Sequence, residues 1–326
     1  MLPMEKRLAL MLITGALVYS SHACALTPAQ MDALQAKLSA NSKGRSDGAT
    51  AGYAQLIGFI SDASVSGYVL DVNNSQGSSI NIVKLPLEHE LAVFDKMKMS
   101  VRGGFNYASV DSKNILAGLS SDTVKPTSEA YSGLVGLLFA VPLAEHWTLK
   151  PVVDVGIGRI DNSIAFQGAD AIQAKPLVES LVINWSSNMV LVSTGLGLDY
   201  TRAFGNFKLD AKVNYNHTLI SSFSESGNFN GFSEQTDLLH FAVDLARPWG
   251  IGLLGYPLTG VLHTDHTVFL GKNSNALGFS NLNAFGYRVE ADFSKARWKV
   301  SSAALGFNYL TGDNVEGYEV VFNVGF

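Results

Sequence analysis

The sequence predicts an all-β fold: an antiparallel barrel of about twelve strands that crosses a membrane. Three observations carry this. Stretches of alternating apolar and polar residues run past ten positions, whereas strands of soluble domains average about five or six. The connections between them alternate short and long. And the chain is rich in Gly (31), Phe (18) and Tyr (11), with only 16% charged residues. After the N-terminal leader it contains no apolar run of about 18 residues, the length a membrane helix needs. The net charge of −5 argues against nucleic-acid binding.

The leader is residues 1–25. Lys6 and Arg7 precede an apolar run, Leu8–Tyr19, and Ala23-Cys24-Ala25 is a small-x-small cleavage site. This is the pattern of a secretory signal peptide. Acylation at Cys24 is the alternative, although Ser21-His22-Ala23 lacks the usual Leu. Cleavage after Ala25 leaves a mature chain without cysteine, and so without disulfides or thiolate chemistry.

Residues 26–52 form an N-terminal helix and linker. Thr27-Pro28 opens the helix as N-cap and first helical residue. Met31, Leu34 and Leu38 lie on one face, and Asn41–Ala51 is polar and Gly-bearing. Such a helix either lies on the surface or plugs the barrel lumen, since a stripe of period 3.6 shows only that one face is covered. The barrel is assigned to residues 53–326. Within it, Tyr53–Ser64 is also strand-like and could shift the count.

The strands are expected at 65–73, 79–87, 97–109, 129–142, 147–160, 188–203, 206–219, 235–247, 252–269, 281–294, 297–311 and 316–326. Their inward faces carry the chemistry. Strand 97–109 turns Lys98 and Arg102 inward, and strand 147–160 turns Lys150 and Asp154. Strand 206–219 contributes Lys208, Asp210 and Lys212, and strand 235–247 contributes His240 and Asp244. Strand 281–294 contributes Arg288, Glu290 and Asp292. With Asp199, Asp265, Lys299 and Glu319 the inward list holds seven cations and eight anions. A charge-selective pore needs one sign in excess at its constriction. The balance points instead to cross-strand ion pairs, each contributing roughly 0.2–1 kcal/mol. In strand 297–311 the alternation breaks phase between Val300 and Leu305, which predicts a bulge near Ser301–Ala304 or a misplaced strand.

Short turns are expected at Leu143–His146, Gly205, Pro248–Ile251 and Ser294–Ala296. Long loops are expected at Val110–Ser128, Asp161–Ser187, Ile220–Glu234 and Leu270–Ser280. Short periplasmic turns and long external loops are the asymmetry of bacterial barrels, as is an even strand count.

The last strand places Tyr318, Val320, Phe322, Val324 and Phe326 on one apolar face. This ending resembles the C-terminal assembly signal of bacterial outer-membrane barrels. With twelve strands and a short N-terminal helix, the chain resembles the solitary outer-membrane autotransporter-like β-barrels, translocator barrels here without a large passenger. The resemblance implies the outer membrane of a Gram-negative cell. It implies outer-membrane lipid, lipopolysaccharide and the barrel-assembly machinery as partners, and a monomer. It implies location and shape rather than a substrate.

Two functions are expected to compete: a structural or translocator-type barrel, partly occluded, and an open porin-like channel for small polar solutes. An outer-membrane hydrolase is the third. His240 with Asp244 and His263 with Asp265 share inward faces, and Thr264-Asp265-His266 has a metal-like look. The spacing of a barrel protease or phospholipase is absent, so no catalytic residue, cofactor or metal is assigned.

Overall fold

In the computed structural model the chain is described over residues 26–325, apart from 43–44, 61–65, 74–77, 113, 115, 117–120, 180–183, 227–230, 272–273 and 295–300. The signal peptide, Cys24 and Phe326 therefore lie outside the described residues. Two helices lead: α1 (Pro28–Ser42) and α2 (Arg45–Ile60). Five strands follow: β1 (Ser66–Val72), β2 (Ser78–Phe94), β3 (Met97–Ser112), β4 (Thr123–Ala144) and β5 (Trp147–Gln167). Helix α3 (Ala169–Glu179) sits in the β5–β6 connection. Then come β6 (Trp185–Phe204), β7 (Phe207–Ser226), β8 (Ser233–Leu253), β9 (Tyr256–Leu270), β10 (Asn281–Asp292), β11 (Ser302–Gly312) and β12 (Val315–Gly325).

Each strand pairs antiparallel with its sequence neighbours, and β1 closes the barrel against β12, from Ser66 opposite Val321 to Val72 opposite Val315. Closure removes the sheet edges that would otherwise carry unpaired backbone groups into lipid.

The faces are inverted relative to a soluble protein. On β5, Val153, Val155 and Ile157 are exposed, with Ile157 67% accessible, while Asp154 between them is 2% accessible. On β12, Tyr318, Val320 and Phe322 are exposed and Glu319 is buried. On β11, Leu305, Phe307 and Tyr309 are exposed and Asn308 is buried. Only a hydrocarbon surround makes outward-facing apolar side chains favourable at this density. Aromatic pairs mark the periplasmic ends of the strands: Trp147 with Tyr200, Phe204 with Phe207, Tyr256 with Phe293. Such rings settle at the membrane–water boundary, where the body is apolar and the tip wet. No described helix is long and apolar enough to span a bilayer; the strands do the crossing.

The structure changes several expectations. Where described, Asn41–Ala51 is helical rather than an open linker, and Tyr53–Ile60 is helix rather than strand: α2 covers Arg45–Ile60, and the first described strand begins at Ser66 rather than at residue 53. The turn expected at Pro248–Ile251 lies inside β8, where the register against β9 shifts between Pro248 and Gly252. The reversal comes later, at Leu254 (φ 55°) and Gly255 (φ 85°). Two successive positive φ values suit the tight hairpins that follow the strand twist. No bulge occurs in β11. Its register is unbroken from Ser302 to Gly312; Trp298 and Val300 lie outside the described residues.

Candidate functional site

The site is the lumen, and its outer half is filled by α2. This helix packs against β2, β3, β4, β7 and β8, strands from opposite sides of the barrel, so it lies inside the wall. Ala54, Leu56, Ile57 and Phe59 are buried in one apolar cluster with Leu70, Ile80, Ile82, Ala130, Ile160, Leu191, Ile220, Leu238 and Phe269. Phe59 meets Tyr68 and Phe269 with ring centroids 5.4 and 5.7 Å apart. The Lys84 ammonium lies 4.4 Å above the Phe59 ring, a cation–π contact stronger for being buried. Gly58 faces Thr236 of β8 so closely that any side chain there would collide with it.

Gln55 fixes the helix to the β9–β10 loop. Its amide donates to the carbonyls of Ser274 (3.0 Å) and Phe279 (3.2 Å), and its side-chain oxygen accepts from the Leu277 amide (2.8 Å). The loop is held in turn by Asp313 in the β11–β12 turn, which accepts from the Ser280 amide and hydroxyl and from the Asn281 amide. Burial pushes the Asp313 carboxyl up, but these donors outweigh it and hold it below the usual carboxylate range.

Helix α1 does not enter the lumen. Thr27 and Gln30 form a reciprocal capping box: the Gln30 amide donates to the Thr27 hydroxyl, and the Thr27 amide donates to the Gln30 side chain. Leu26 and Leu34 are buried with Leu116 of the β3–β4 loop, Val124 at the outer end of β4, and Ala171 and Ala174 of α3. The segment therefore runs from the outer mouth down into the barrel. The occupant of the lumen is α2, not the stretch beginning at Thr27.

Below α2 a cavity of about 510 Å³ remains, lined among others by Arg102, Asp154, Lys212, His240, Asp244 and Arg288. Arg102 binds Asp154 two strands away: its Nε donates to Oδ1 at 2.8 Å and an outer nitrogen donates to Oδ2. Gly136 stands between them in register, and a side chain there would strike the Asp154 carboxylate. Lys150 pairs with Asp199 at 2.6 Å. Arg288 forks onto Asp244, which also meets His263 Nδ1 at 2.6 Å. The other His263 nitrogen faces Asp265 at 3.1 Å, and His240 lies 3.7 Å from the same carboxylate. Lys98–Glu90 and Lys208–Asp210 pair near the exposed periplasmic ends. Glu290 and Asp292 sit on the same inward phase of β10 as Arg288 but outside the cavity lining. His266 lies on the opposite face from His263 and Asp265, against Asn283 and Phe241, so Thr264-Asp265-His266 does not converge on one point.

Sequence reasoning passes over Gln55, Lys84, Asn308 and Asp313. Asn308 donates to Glu319 at 2.6 Å in the buried β11–β12 wall. A lone Lys or Asn on the polar phase of a strand is the available signal. Nothing in the local sequence marks Gln55.

The family model of the solitary outer membrane autotransporter beta-barrel domain matches residues 71–324. The chain belongs to this family. An autotransporter-type barrel of this kind resides in the bacterial outer membrane. Among solved structures, the translocator domain of autotransporter NalP from Neisseria meningitidis is similar, with TM-score 0.57 and 10% identity, covering 87% of this chain and 99% of that one. The transport unit of the autotransporter AIDA-I from Escherichia coli gives TM-score 0.56 and 10% identity, covering 87% and 98%. At this identity they speak for the fold. No curated protein matches the sequence.

Proposed function

We propose that this is a translocator-type outer-membrane barrel held closed by its own N-terminal segment. The observation that carries the reading is α2 seated between opposite walls and fastened to an outer loop through Gln55. The two similar structures are a translocator domain and a transport unit, which supports a transport role over a purely structural one. The balanced lumen fits a wall stiffened by ion pairs rather than a selective channel. The barrel acts without catalysis on this reading: each acid–histidine contact in the lumen ends on Arg288 or another wall residue, an arrangement that fixes side chains in place.

The test is conductance of the refolded protein in a planar bilayer, with and without residues 26–60. Low conductance that rises on deletion, with the barrel still folded, is expected. Equal conductance rejects the plug. The open-channel reading is favoured by the charged cavity beneath α2 and would be adopted if both forms conduct well. Assembly through the terminal apolar face is part of the proposal: deleting Phe326 is expected to lower the outer-membrane level while export continues. Removal of the signal near Ala25 is read by N-terminal sequencing of the mature protein.

A further inference from the structure

On the outer surface of the wall, at the periplasmic ends of β7 to β10, lies a groove of about 550 Å³. The irregular end of β8 builds it. There the register shifts between Pro248 and Gly252, and Gly250 takes φ 73°. Trp249 stacks on Tyr287 with centroids 6.3 Å apart and planes within 10°, and its indole nitrogen donates to the Tyr287 hydroxyl at 3.0 Å. Beneath them Gly260 leaves the floor bare, because a side chain there would overlap the Tyr287 hydroxyl and the indole. Leu245 and Leu262 form the apolar wall toward the membrane interior.

Arg247 is the one charged residue among those lining this groove. Its guanidinium lies 5.3 Å from the centre of the Phe207 ring, and among the described residues it pairs with no carboxylate. A cation on a lipid-facing wall is costly at the midplane and costs little near the interface. The periplasmic end of β8 is the interface. A guanidinium placed over an aromatic ring still has donors that match a phosphate in fork geometry.

We propose that this groove binds one diacyl phospholipid of the periplasmic leaflet, with its phosphate on Arg247 and its upper acyl methylenes along Leu245 and Leu262. The single cation gives a preference for a headgroup of net negative charge. Charge complementarity and the adjoining apolar wall select such a lipid over a free anion, which would leave the wall uncovered.

The test is native mass spectrometry of the full protein refolded in equimolar phosphatidylglycerol and phosphatidylcholine, with matched acyl chains, then moved into detergent. One retained phospholipid is expected, with phosphatidylglycerol favoured about fivefold, the factor that roughly 1 kcal/mol per basic residue supplies. Arg247→Gln should abolish the preference, Arg247→Lys should keep most of it, and Arg202→Gln, on β6 outside the groove, should leave it unchanged. Heat-modified gel migration confirms that each variant is folded. Equal occupancy by the two lipids on the wild-type protein, or no retained lipid, overturns the proposal without recourse to any variant. So does Arg247→Gln with the preference intact.

Discussion

The outer and periplasmic halves of the lumen are built on opposite principles. The outer half is dry: Leu56, Ile57 and Phe59 of α2 meet Leu70, Ile80, Ile82 and Phe269 of the wall. The periplasmic half is polar, with Arg102–Asp154, Lys150–Asp199 and the Asp244–Arg288–His263 group around a cavity. An apolar wall has value only where something covers it, because water-filled apolar surface gains nothing on folding. The apolar ring thus marks how deep α2 sits, and the polar half marks where the barrel must stand without it.

The largest expected effect breaks the polar half. Arg102→Ala leaves the Asp154 carboxylate, 2% accessible, without its forked partner. Loss of one member of a buried pair costs about 3 kcal/mol or more. The urea midpoint of the refolded protein should fall clearly, while conductance stays low because α2 is untouched.

Gln55→Leu breaks the other half. It strips partners from two loop carbonyls and one amide, at a cost of about 2 kcal/mol. The barrel should keep its urea midpoint, but opening events in the planar bilayer should become more frequent. A fall in midpoint with no change in opening would show that Gln55 serves the wall and not the plug.

The two halves also differ in how far they can be read from sequence. All twelve strands are legible, and most of them because little besides a long membrane strand keeps a period of two over ten or more residues. Ends are harder. The lower part of β2 escapes because Glu88, His89 and Glu90 interrupt its alternation, and Pro248-Trp249-Gly250 looks like a turn but bulges within β8. Helix α2 is illegible for a physical reason. A barrel surrounds it on several sides, so it needs no apolar stripe, and Ala54, Leu56, Ile57 and Phe59 are buried together. Helix α3 is hidden by its short length and by Pro176. Lumen charges can be placed by strand phase, but the pairs Arg102–Asp154 and Arg288–Asp244 bridge two strands, and register alone reveals which side chains meet.

Acid should loosen the outer half first. The folded Asp313 carboxyl lies below its ordinary value, so its contribution is complete above the unfolded value and is lost as pH falls through the folded one. Below about pH 4, amide exchange in the described part of 271–280 and in α2 should rise before exchange in β3 to β7. Asp313→Asn should raise that exchange at neutral pH and flatten its pH response.

The smallest expected effect sharpens the comparison within one strand. Lys98 and Arg102 share the inward phase of β3, four residues apart, and each pairs with a carboxylate. Lys98 and Glu90 are 61% and 49% accessible at the periplasmic end, and water already solvates both charges. Such pairs are worth about 0.5 kcal/mol or less once side-chain ordering and salt are counted. Lys98→Ala should therefore leave the urea midpoint within error, and added salt should not change the result. A loss comparable to that of Arg102→Ala would mean that depth in the lumen does not set the strength of these pairs, and that the periplasmic rim is held together by its charges after all.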